Sequence, residues 1–355
     1  MTPRFHSLKI AEVRRETPDS VSLRFDLPAE LSAEYAFTPG QHLALRTHLD
    51  GEEVRRSYSI CAGLDDGELR VAIKKVGGGR FSCWAIEHLK AGDAIDVMTP
   101  DGRFTVPVDA GHAKHYAAFA AGSGITPILS LAKTLLRREP RSRFTLVYGN
   151  RRAATAMFQE ELEDLKDRYL ARFALYNVFS REEQEVDLFN GRIDASKVRV
   201  FLDTLVPVDS IDEAFVCGPA SMIDEVEAAL HAAGVPANHV HVERFGTPGT
   251  GETRAEPAAD AALARVTFVV DGLKREVQFQ REHGSLLEAG AAAGLDLPFS
   301  CKGGMCCTCR ARLLEGEVKM RKNFALEQAD LDAGFVLTCQ SYPLSERVLL
   351  SFDDR

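Results

Sequence analysis

Apolar and polar side chains alternate along the first hundred residues with a period of two. Residues 21–25 and 69–73 show this alternation most clearly, and it places successive side chains on opposite faces of a strand. Turn signals recur at Pro39-Gly40, Asp50-Gly51 and Asp66-Gly67. Short strands separated by such turns predict a small antiparallel β-barrel, which we assign to residues 1–108.

From about residue 112 the pattern changes to apolar runs that alternate with amphipathic segments. Strand-like runs are followed by helical periodicity at residues 116–120, 144–148, 174–178 and 214–217. This alternation predicts a parallel sheet with helices on both faces, which we assign to residues 109–245. The last segment, 239–245, alternates again and predicts a strand with one face made of His239, His241, Glu243 and Phe245.

The C-terminal third begins with a stretch of small residues and proline. Residues 246–263 predict a linker, because they contain little that could form a core. Next, the runs 266–270 and 273–279 flank Asp271-Gly272, a strong hairpin signal. A capping-box pattern at 285–288 precedes an alanine-rich helix, and strands follow at 310–314 and 348–352. Residues 264–355 are therefore predicted to form a separate α+β domain.

Composition narrows the class of protein. The 355 residues are 45% hydrophobic and 27% charged, which is ordinary for a globular protein. The net charge of −9 argues against a nucleic-acid partner. The chain contains no apolar run long enough for a membrane span and no apolar signal core at its start. We therefore expect a cytoplasmic location, where the eight cysteines are thiols or metal ligands.

The cysteine spacing is the most specific chemical signal in the chain. Three cysteines have the spacing C-x4-C-x2-C and a fourth follows: Cys301, Cys306, Cys309 and Cys339. This is the ligand pattern of a plant-type [2Fe–2S] cluster. Gly303 and Gly304 favour a loop that wraps around a cluster, whereas Cys307 does not fit the ligand pattern. The alternative, a structural zinc site, usually needs a second C-x2-C pair.

Two polar motifs interrupt the predicted barrel. In Arg56-Ser57-Tyr58-Ser59 the arginine can hold a phosphate, the tyrosine can stack on a flat ring and the last serine can bond that ring's edge. Gly78-Gly79-Arg80-Phe81-Ser82 precedes a helix-like run at 83–89, and amides at a helix start form a phosphate site. Each motif alone also fits an ordinary strand end or glycine turn.

The α/β region carries a glycine turn and three polar loops. Gly122, Gly124, Thr126 and Pro127 follow the first strand and open a helix, the context in which glycines let a pyrophosphate approach the backbone. Three loops lie just past later strands, at 148–151, 179–182 and 217–219. Open α/β sheets bind ligands at this edge. Two histidines two residues apart, His239 and His241, could also bind a metal, but no further ligand lies near them in sequence, so we give them no role.

In this order the motifs resemble the ferredoxin–NADP reductase family with a C-terminal plant-type ferredoxin domain. The resemblance implies a flavin-binding barrel, a pyridine-nucleotide domain and a β-grasp ferredoxin domain. It implies FAD, with FMN as the alternative, together with NADPH and a [2Fe–2S] cluster. The residues that it assigns to the flavin and to catalysis are Arg56, Ser57, Tyr58, Ser59, Gly78, Gly79, Ser82, Cys217 and Phe245. Those that it assigns to the nucleotide are Gly122, Gly124, Thr126, Pro127, Asn150, Arg151, Ser180, Arg181, Cys217, Gly218 and Pro219.

The module order implies an electron-transfer reductase. A nicotinamide gives two electrons as one hydride and a cluster carries one electron, so a flavin must stand between them. Residues 301–311 and 336–340 look like those of reductases serving phenylacetyl-CoA epoxidases, whose oxygenase carries a di-iron centre. The alternatives are a reductase for a Rieske-type oxygenase or a steroid hydroxylase, and a redox-sensing nucleotide-binding protein that does not turn over. Ser180 and Arg181 favour NADPH, although Glu182 and Glu183 lie beside them.

Overall fold

The structure is a computed structural model that describes residues 4–246 and 260–354. Internal contacts divide the chain into two units. One consists of Ser7–Glu52 and Tyr58–Phe245, and the other contains Glu53–Ser57 and the chain from Gly246 onward. The domain boundaries predicted above remain predictions. Most of the predicted linker, residues 247–259, lies outside the described residues.

The N-terminal part forms a six-stranded sheet in the spatial order β4-β3-β6-β1-β2-β5. One helix, α1, lies between β5 and β6 in sequence. The elements of this part are β1 (Phe5–Thr17), β2 (Ser20–Asp26), β3 (His42–Leu49), β4 (Glu52–Ser59), β5 (Leu69–Lys74), α1 (Arg80–His88) and β6 (Ala94–Met98). The pairs β1–β2, β2–β5 and β3–β6 are antiparallel. The strands predicted at 21–25 and 69–73 are confirmed as parts of β2 and β5.

The second sheet is entirely parallel, in the order β11-β10-β7-β8-β9. Its elements are β7 (His115–Ala121), α2 (Ile125–Arg138), β8 (Arg143–Asn150), α3 (Gln159–Arg168), β9 (Phe173–Phe179), α4 (Ala195–Thr204), β10 (Glu213–Gly218), α5 (Ala220–Ala232) and β11 (Val240–Arg244). Alternate strand residues enter two separate cores. Leu146 packs in the core that contains α2 and α3, and Val147 packs in the core that contains α4 and α5. The predicted sheet with helices on both faces is confirmed.

The strand ends differ from the sequence prediction. β8 and β9 continue to Asn150 and Phe179, which are register partners, so part of each predicted loop belongs to a strand. β11 begins only at Val240, because His239 lies in a short turn and its Nδ1 is 2.6 Å from the carbonyl oxygen of Asp212. The prediction that His239 shares a strand face with His241 is therefore wrong.

The C-terminal part forms a five-stranded sheet in the order β13-β12-β18-β14-β16 and a two-stranded sheet, β15-β17. Its elements are β12 (Ala264–Val270), β13 (Leu273–Phe279), α6 (Leu286–Ala292), β14 (Arg310–Glu315), β15 (Val318–Met320), α7 (Gln328–Asp332), β16 (Phe335–Leu337), β17 (Ser341–Pro343) and β18 (Arg347–Ser351). The β12–β13 hairpin is confirmed. Its turn residues Asp271 and Gly272 have φ angles of 51° and 74°, as a type I′ turn requires.

Short local signals also set the helix in this sheet. Ser285 Oγ accepts a hydrogen bond from the Glu288 amide at 3.2 Å, which caps the start of α6 as predicted. The elements that were not predicted, β15, α7, β16 and β17, are only three to five residues long. Segments this short carry too little periodicity to be detected. Among the described residues, no helix is long and apolar enough to cross a membrane.

Candidate functional site

Tyr58 and the glycine motif before α1 lie together. The rings of Tyr58 and Phe81 are 5.6 Å apart between centroids. Gly78 has a φ of +73°, and Gly79 is the N-cap of α1 without a side-chain cap bond. Ser82 Oγ accepts a hydrogen bond from the Val76 amide at 3.1 Å, which fixes the turn. An aromatic ring and the amides of a helix start therefore belong to one site, a combination suited to a flat ring that carries phosphate.

The first half of the arginine motif has a different environment. Arg56 and Ser57 are half-buried on β4 and belong with Glu53–Ser57 in the division into units. Arg56 Nη1 donates to the Arg55 carbonyl oxygen at 2.7 Å. Their predicted roles toward a phosphate remain predictions.

Ser59, Cys217 and Glu243 meet at the carboxyl ends of β10 and β11, and we call these three residues the hydride edge. Ser59 Oγ donates to Glu243 Oε2 at 3.1 Å, across 184 positions of sequence. Cys217 on β10 is the register partner of Glu243 on β11 and is fully buried. The alternation of residues 239–245 places Glu243 on a strand face, but that pattern assigns it no role. Phe245, just beyond β11, is 42% exposed.

Both ionisable groups of the hydride edge are held neutral near pH 7. Desolvation raises the pKa of Glu243 to about 8, although the hydrogen bond from Ser59 acts in the opposite direction. Burial, and then the neighbouring Glu243 carboxyl, raise the pKa of the Cys217 thiol well above its usual value. An uncharged edge with a thiol, a hydroxyl and a carboxylic acid can orient a nicotinamide next to a flavin ring without placing a fixed charge there.

The glycine turn after β7 is fitted closely to the same edge. Gly122 has a φ of +56°, and a Cβ on Gly124 would lie only 2.1 Å from the carbonyl oxygen of Cys217. No side chain can be added at position 124 without moving β10. Thr126 Oγ1 donates to the Ser123 carbonyl oxygen at 3.0 Å within this turn, and Pro127 lies in the first turn of α2. The predicted pyrophosphate turn is therefore next to Cys217.

The predicted nucleotide loops lie side by side. The amides of Ser180 and Arg181 donate to the carbonyl oxygens of Asn150 and Arg151 at 3.0 and 2.9 Å. Arg151, Ser180 and Arg181 are exposed. One carboxylate oxygen of Glu182, Oε2, accepts a hydrogen bond from the Ala153 amide at 3.0 Å. Arg151, Ser180 and Arg181 therefore offer exposed cations and a hydroxyl at this part of the sheet edge, beside the exposed carboxylates of Glu182 and Glu183.

The turn into α5 completes the edge. Gly218 ends β10, and a Cβ there would lie 2.7 Å from Cε of Met222. Pro219 is the N-cap residue of α5. A side chain at position 218 would therefore collide with the first turn of α5.

The loop from Cys301 to Cys309, which we call the cysteine loop, is wound by residues in the left-handed region. Lys302, Gly304 and Cys307 have φ angles of 50°, 79° and 56°. Glycine is expected here because it accepts unusual backbone angles and lets amides approach the sulfurs: Gly304 has such an angle, and the Gly303 amide approaches the Cys301 sulfur at 3.3 Å. Lys302 adopts the strained conformation that the sequence pattern suggests for a glycine.

The four cysteines of the predicted cluster form two pairs. The Cys306 side chain is the main influence on the pKa of Cys301, and the Cys339 side chain is the main influence on the pKa of Cys309. The Cys306 thiol and then the amides of the loop lower the pKa of Cys301 to about 6, whereas the pKa of Cys306 is raised well above its usual value because it donates to Cys301. A [2Fe–2S] cluster takes four cysteine sulfurs, two on each iron, so two pairs of cysteines fit that group.

Two further observations concern the surroundings of these cysteines. Cys307 Sγ donates to the Ala325 carbonyl oxygen at 3.3 Å. Within residues 4–246 and 260–354, no group of three or more His, Cys, Asp or Glu side chains converges on a position for a single ion.

Comparison with known proteins gives the same modules. Family models match as follows: the oxidoreductase FAD-binding domain over residues 7–106, the oxidoreductase NAD-binding domain over 119–228 and the 2Fe-2S iron-sulfur cluster binding domain over 268–344. The chain is 46% identical to one of the subunits of 1,2-phenylacetyl-CoA epoxidase from Escherichia coli (strain K12), over 98% of each chain. The chain belongs to the ferredoxin–NADP reductase-like family with a ferredoxin domain.

Two other relatives extend over the full reductase. The 3-ketosteroid-9-alpha-monooxygenase ferredoxin reductase component of Rhodococcus rhodochrous is 33% identical, over 97% of this chain and 96% of that protein. The solved structure of phthalate dioxygenase reductase superposes with a TM-score of 0.59 at 25% identity and 98% coverage of both chains. The predicted fold class and the cofactors FAD, NAD(P)H and [2Fe–2S] are thereby confirmed. The individual site residues remain predictions.

A half-buried carboxylate that the sequence did not reveal joins the nucleotide helices of this reductase to its N-terminal sheet. Glu161 on α3 accepts two hydrogen bonds from Arg70 on β5, both at 2.7 Å, and one each from Lys133 on α2 and Arg14 on β1 at 2.9 Å. Burial alone would raise the pKa of Glu161, but Arg70 and Lys133 outweigh it and lower the pKa to about 2. The Lys133 contact involves α2, the helix that follows the glycine turn.

Proposed function

We propose that this reductase takes a hydride from NADPH at the hydride edge and delivers the electrons, one at a time, to a separate oxygenase. FAD accepts the pair and the [2Fe–2S] cluster carries single electrons. The observation that carries the proposal is the meeting of Ser59, Cys217 and Glu243 at the edge where the glycine turn and the nucleotide loops also lie. Ser59 and Tyr58 would orient the flavin ring, and Cys217 would contact the nicotinamide.

The preference for NADPH over NADH rests on the exposed loop residues. Arg181 and Ser180 offer a cation and a hydroxyl to a 2′-phosphate, with Arg151 beside them. NADH-specific sites often place a carboxylate on the free 2′-hydroxyl. Glu182 is the nearest carboxylate in sequence, and it is bound to the Ala153 amide.

The partner that we propose is a di-iron phenylacetyl-CoA epoxidase. The support is the 46% identity, over 98% of both chains, to the phenylacetyl-CoA epoxidase component of Escherichia coli. A steroid hydroxylase is the second candidate, because the ketosteroid monooxygenase reductase also matches along its whole length at 33% identity. For either partner we propose that the reductase acts in the cytoplasm.

The test is reconstitution with purified components. The holo-reductase, the epoxidase oxygenase, NADPH and phenylacetyl-CoA are combined, and epoxide formation is measured against NADPH consumption. Coupled product formation is the expected result. Turnover with a purified ketosteroid hydroxylase but not with the epoxidase would move the assignment to the second candidate.

A matched variant tests the route of the electrons. Cys339→Ser is expected to keep NADPH-driven ferricyanide reduction, which needs only the flavin, and to lose epoxide formation. If the variant still drives the epoxidase, electrons leave from the flavin and the cluster is not the terminal carrier. If the intact reductase consumes no NADPH with ferricyanide or cytochrome c, the redox-sensing alternative is favoured.

A further inference from the structure

The residue after the fourth predicted ligand carries a side chain that reaches back to the cysteine loop. Gln340 Nε2 lies 2.8 Å from the carbonyl oxygen of Lys302 and 3.7 Å from the sulfur of Cys339. A side-chain amide nitrogen has two protons. One proton can therefore be donated to the Lys302 carbonyl oxygen and the other to the Cys339 sulfur.

The chemistry of these neighbours fixes the orientation of the amide. A carbonyl oxygen is an acceptor, and a cysteine sulfur is also an acceptor once it is deprotonated as an iron ligand. If the amide were reversed, its oxygen would face two acceptors at these positions. The nitrogen must therefore point toward Lys302 and Cys339, and this orientation follows from the surroundings of the side chain.

The backbone and the stem of Gln340 are held on several sides. Its amide donates to the Leu337 carbonyl oxygen at 2.9 Å, and its carbonyl oxygen accepts the Arg321 amide at 2.9 Å. Its Cγ lies 3.2 Å from the position that a Cβ on Gly304 would occupy. The left-handed Gly304 thus leaves room for the stem, and the side chain is aimed by fixed backbone on both sides of the loop.

We propose that Gln340 is a positioning and tuning residue of the cluster: it ties the cysteine loop to the turn after β16 that carries Cys339, and it raises the reduction potential. Hydrogen bonds to cluster sulfurs are among the factors that set this potential. A donor facing the sulfur stabilises the reduced cluster more than the oxidised one, because the reduced cluster carries one more negative charge. The step concerned is the transfer of one electron from reduced flavin, which converts one ferric iron to ferrous while the amide keeps its protons.

Gln340 is experimentally accessible because its donor is a side chain. The amide that approaches Cys301, by contrast, belongs to the backbone of Gly303 and cannot be removed by substitution. Gln340→Met keeps the length of the side chain and removes both donors, and Gln340→Glu replaces the donor by a carboxylate. The matched control is Gln328→Met on α7, an exposed position whose side-chain amide donates to Asp332, far from any predicted ligand in sequence.

The measurement is the midpoint potential of the cluster in the full-length holo-reductase, from a redox titration followed by electron paramagnetic resonance. Gln340→Met is expected to lower the potential by about a tenfold change in the one-electron equilibrium, which is about 59 mV. Gln340→Glu is expected to lower it further, and Gln328→Met to leave it unchanged. Equal potentials for Gln340→Met and the unaltered reductase would overturn the proposal.

A second measurement covers the case in which Gln340→Met fails to hold a cluster. Iron content and the visible spectrum are recorded first for every variant. Pulsed paramagnetic resonance on the unaltered reductase, with isotope-labelled glutamine side-chain nitrogen, should then show hyperfine coupling to the reduced cluster. Absence of that coupling would overturn the proposal. The proposal rests on Cys339 as a ligand, and a Cys339→Ser variant that keeps its cluster would instead contradict the ligand assignment.

Discussion

Glu243 at the hydride edge and Cys301 in the cysteine loop have pKa values shifted in opposite directions. At the hydride edge, desolvation raises the pKa of Glu243 to about 8, with only Ser59 donating to it. In the cysteine loop, a thiol and several amides face the Cys301 sulfur and lower its pKa to about 6. Burial alone therefore does not decide the charge of a group, because the number of donors that face it can reverse the effect.

The two regions also differ in how the chain builds them. The hydride edge is assembled from the ends of strands and a turn that are far apart in sequence, whereas the cysteine loop takes three of its predicted ligands from nine consecutive residues. The first depends on the packing of a whole sheet, and the second on a few left-handed backbone angles. Substitutions should accordingly act over long distances in one region and locally in the other.

The largest effect is expected in the cysteine loop. Cys339→Ser should abolish or strongly weaken the visible [2Fe–2S] spectrum and the iron content, because one iron loses a thiolate. Cys307→Ser is the control and should leave both unchanged, since its thiol bonds Ala325 instead. The reverse result would mean that the loop is threaded differently around the cluster.

The next effect tests how strongly the hydride edge depends on distant packing. Glu161→Gln should destabilise the protein by about 3 kcal/mol, the lower end of the range for a broken buried ion pair, because buried Arg70 loses one carboxylate and keeps its pair with Glu68. Urea unfolding followed by loss of bound flavin measures the change. The exposed neighbour Glu160→Gln is the control, and equal midpoints for the two variants would show that the cluster of charges contributes little.

The same residue gives a pH dependence with a definite sign. The pKa of Glu161 is lowered in the folded protein, so its stabilising contribution is complete above the pKa of an unfolded glutamate. That contribution is lost as the pH falls toward 2. The difference in stability between the intact reductase and Glu161→Gln should therefore shrink over this acidic range.

A smaller effect concerns the nucleotide loops. Arg181→Ala should weaken the use of NADPH by about 1.5–3 kcal/mol in kcat/KM, the scale of a hydrogen bond to a charged group, and should change the use of NADH little. Arg199→Ala, exposed on α4, is the control. Equal losses with both nucleotides would show that Arg181 only supports the loop.

The smallest effect concerns the neutral state of the hydride edge. With a pKa of about 8, Glu243 is mostly protonated at pH 7, and about one tenth of it is protonated at pH 9. The rate of hydride transfer, measured by stopped flow, should therefore fall about tenfold between pH 7 and pH 9. Glu243→Gln, which stays neutral, should lose this pH dependence. A variant that keeps the same profile would assign the ionisation to another group.

Local signals in the sequence predicted the local structure well. The Asp271-Gly272 turn, the Ser285 cap and the parallel sheet follow from residue types and periodicity, and all are present. Cysteine spacing alone named the four residues that form two pairs. These features depend on neighbours within a few positions, or on a pattern with one well-defined chemical purpose.

Contacts between distant segments could not be predicted in this way. Glu243 and Glu161 read as ordinary charged residues, and only the fold places Ser59 against one and Arg70 against the other. The left-handed backbone of Lys302 could not be predicted from its residue type, because the surrounding loop imposes that conformation. A single sequence carries no direct record of such pairings.

The 184 positions that separate Ser59 from Glu243 also have a meaning in time. A ribosome adds about 5–20 residues per second, so roughly 10–40 s pass between the synthesis of the two residues. During this interval the flavin motif exists without the carboxyl group that completes the hydride edge. The first three cysteines of the cysteine loop, in contrast, emerge within about two seconds of one another. The fourth predicted ligand, Cys339, follows Cys301 by 38 positions, or about 2–8 s. The nascent chain therefore carries an incomplete hydride edge several times longer than an incomplete set of cluster cysteines.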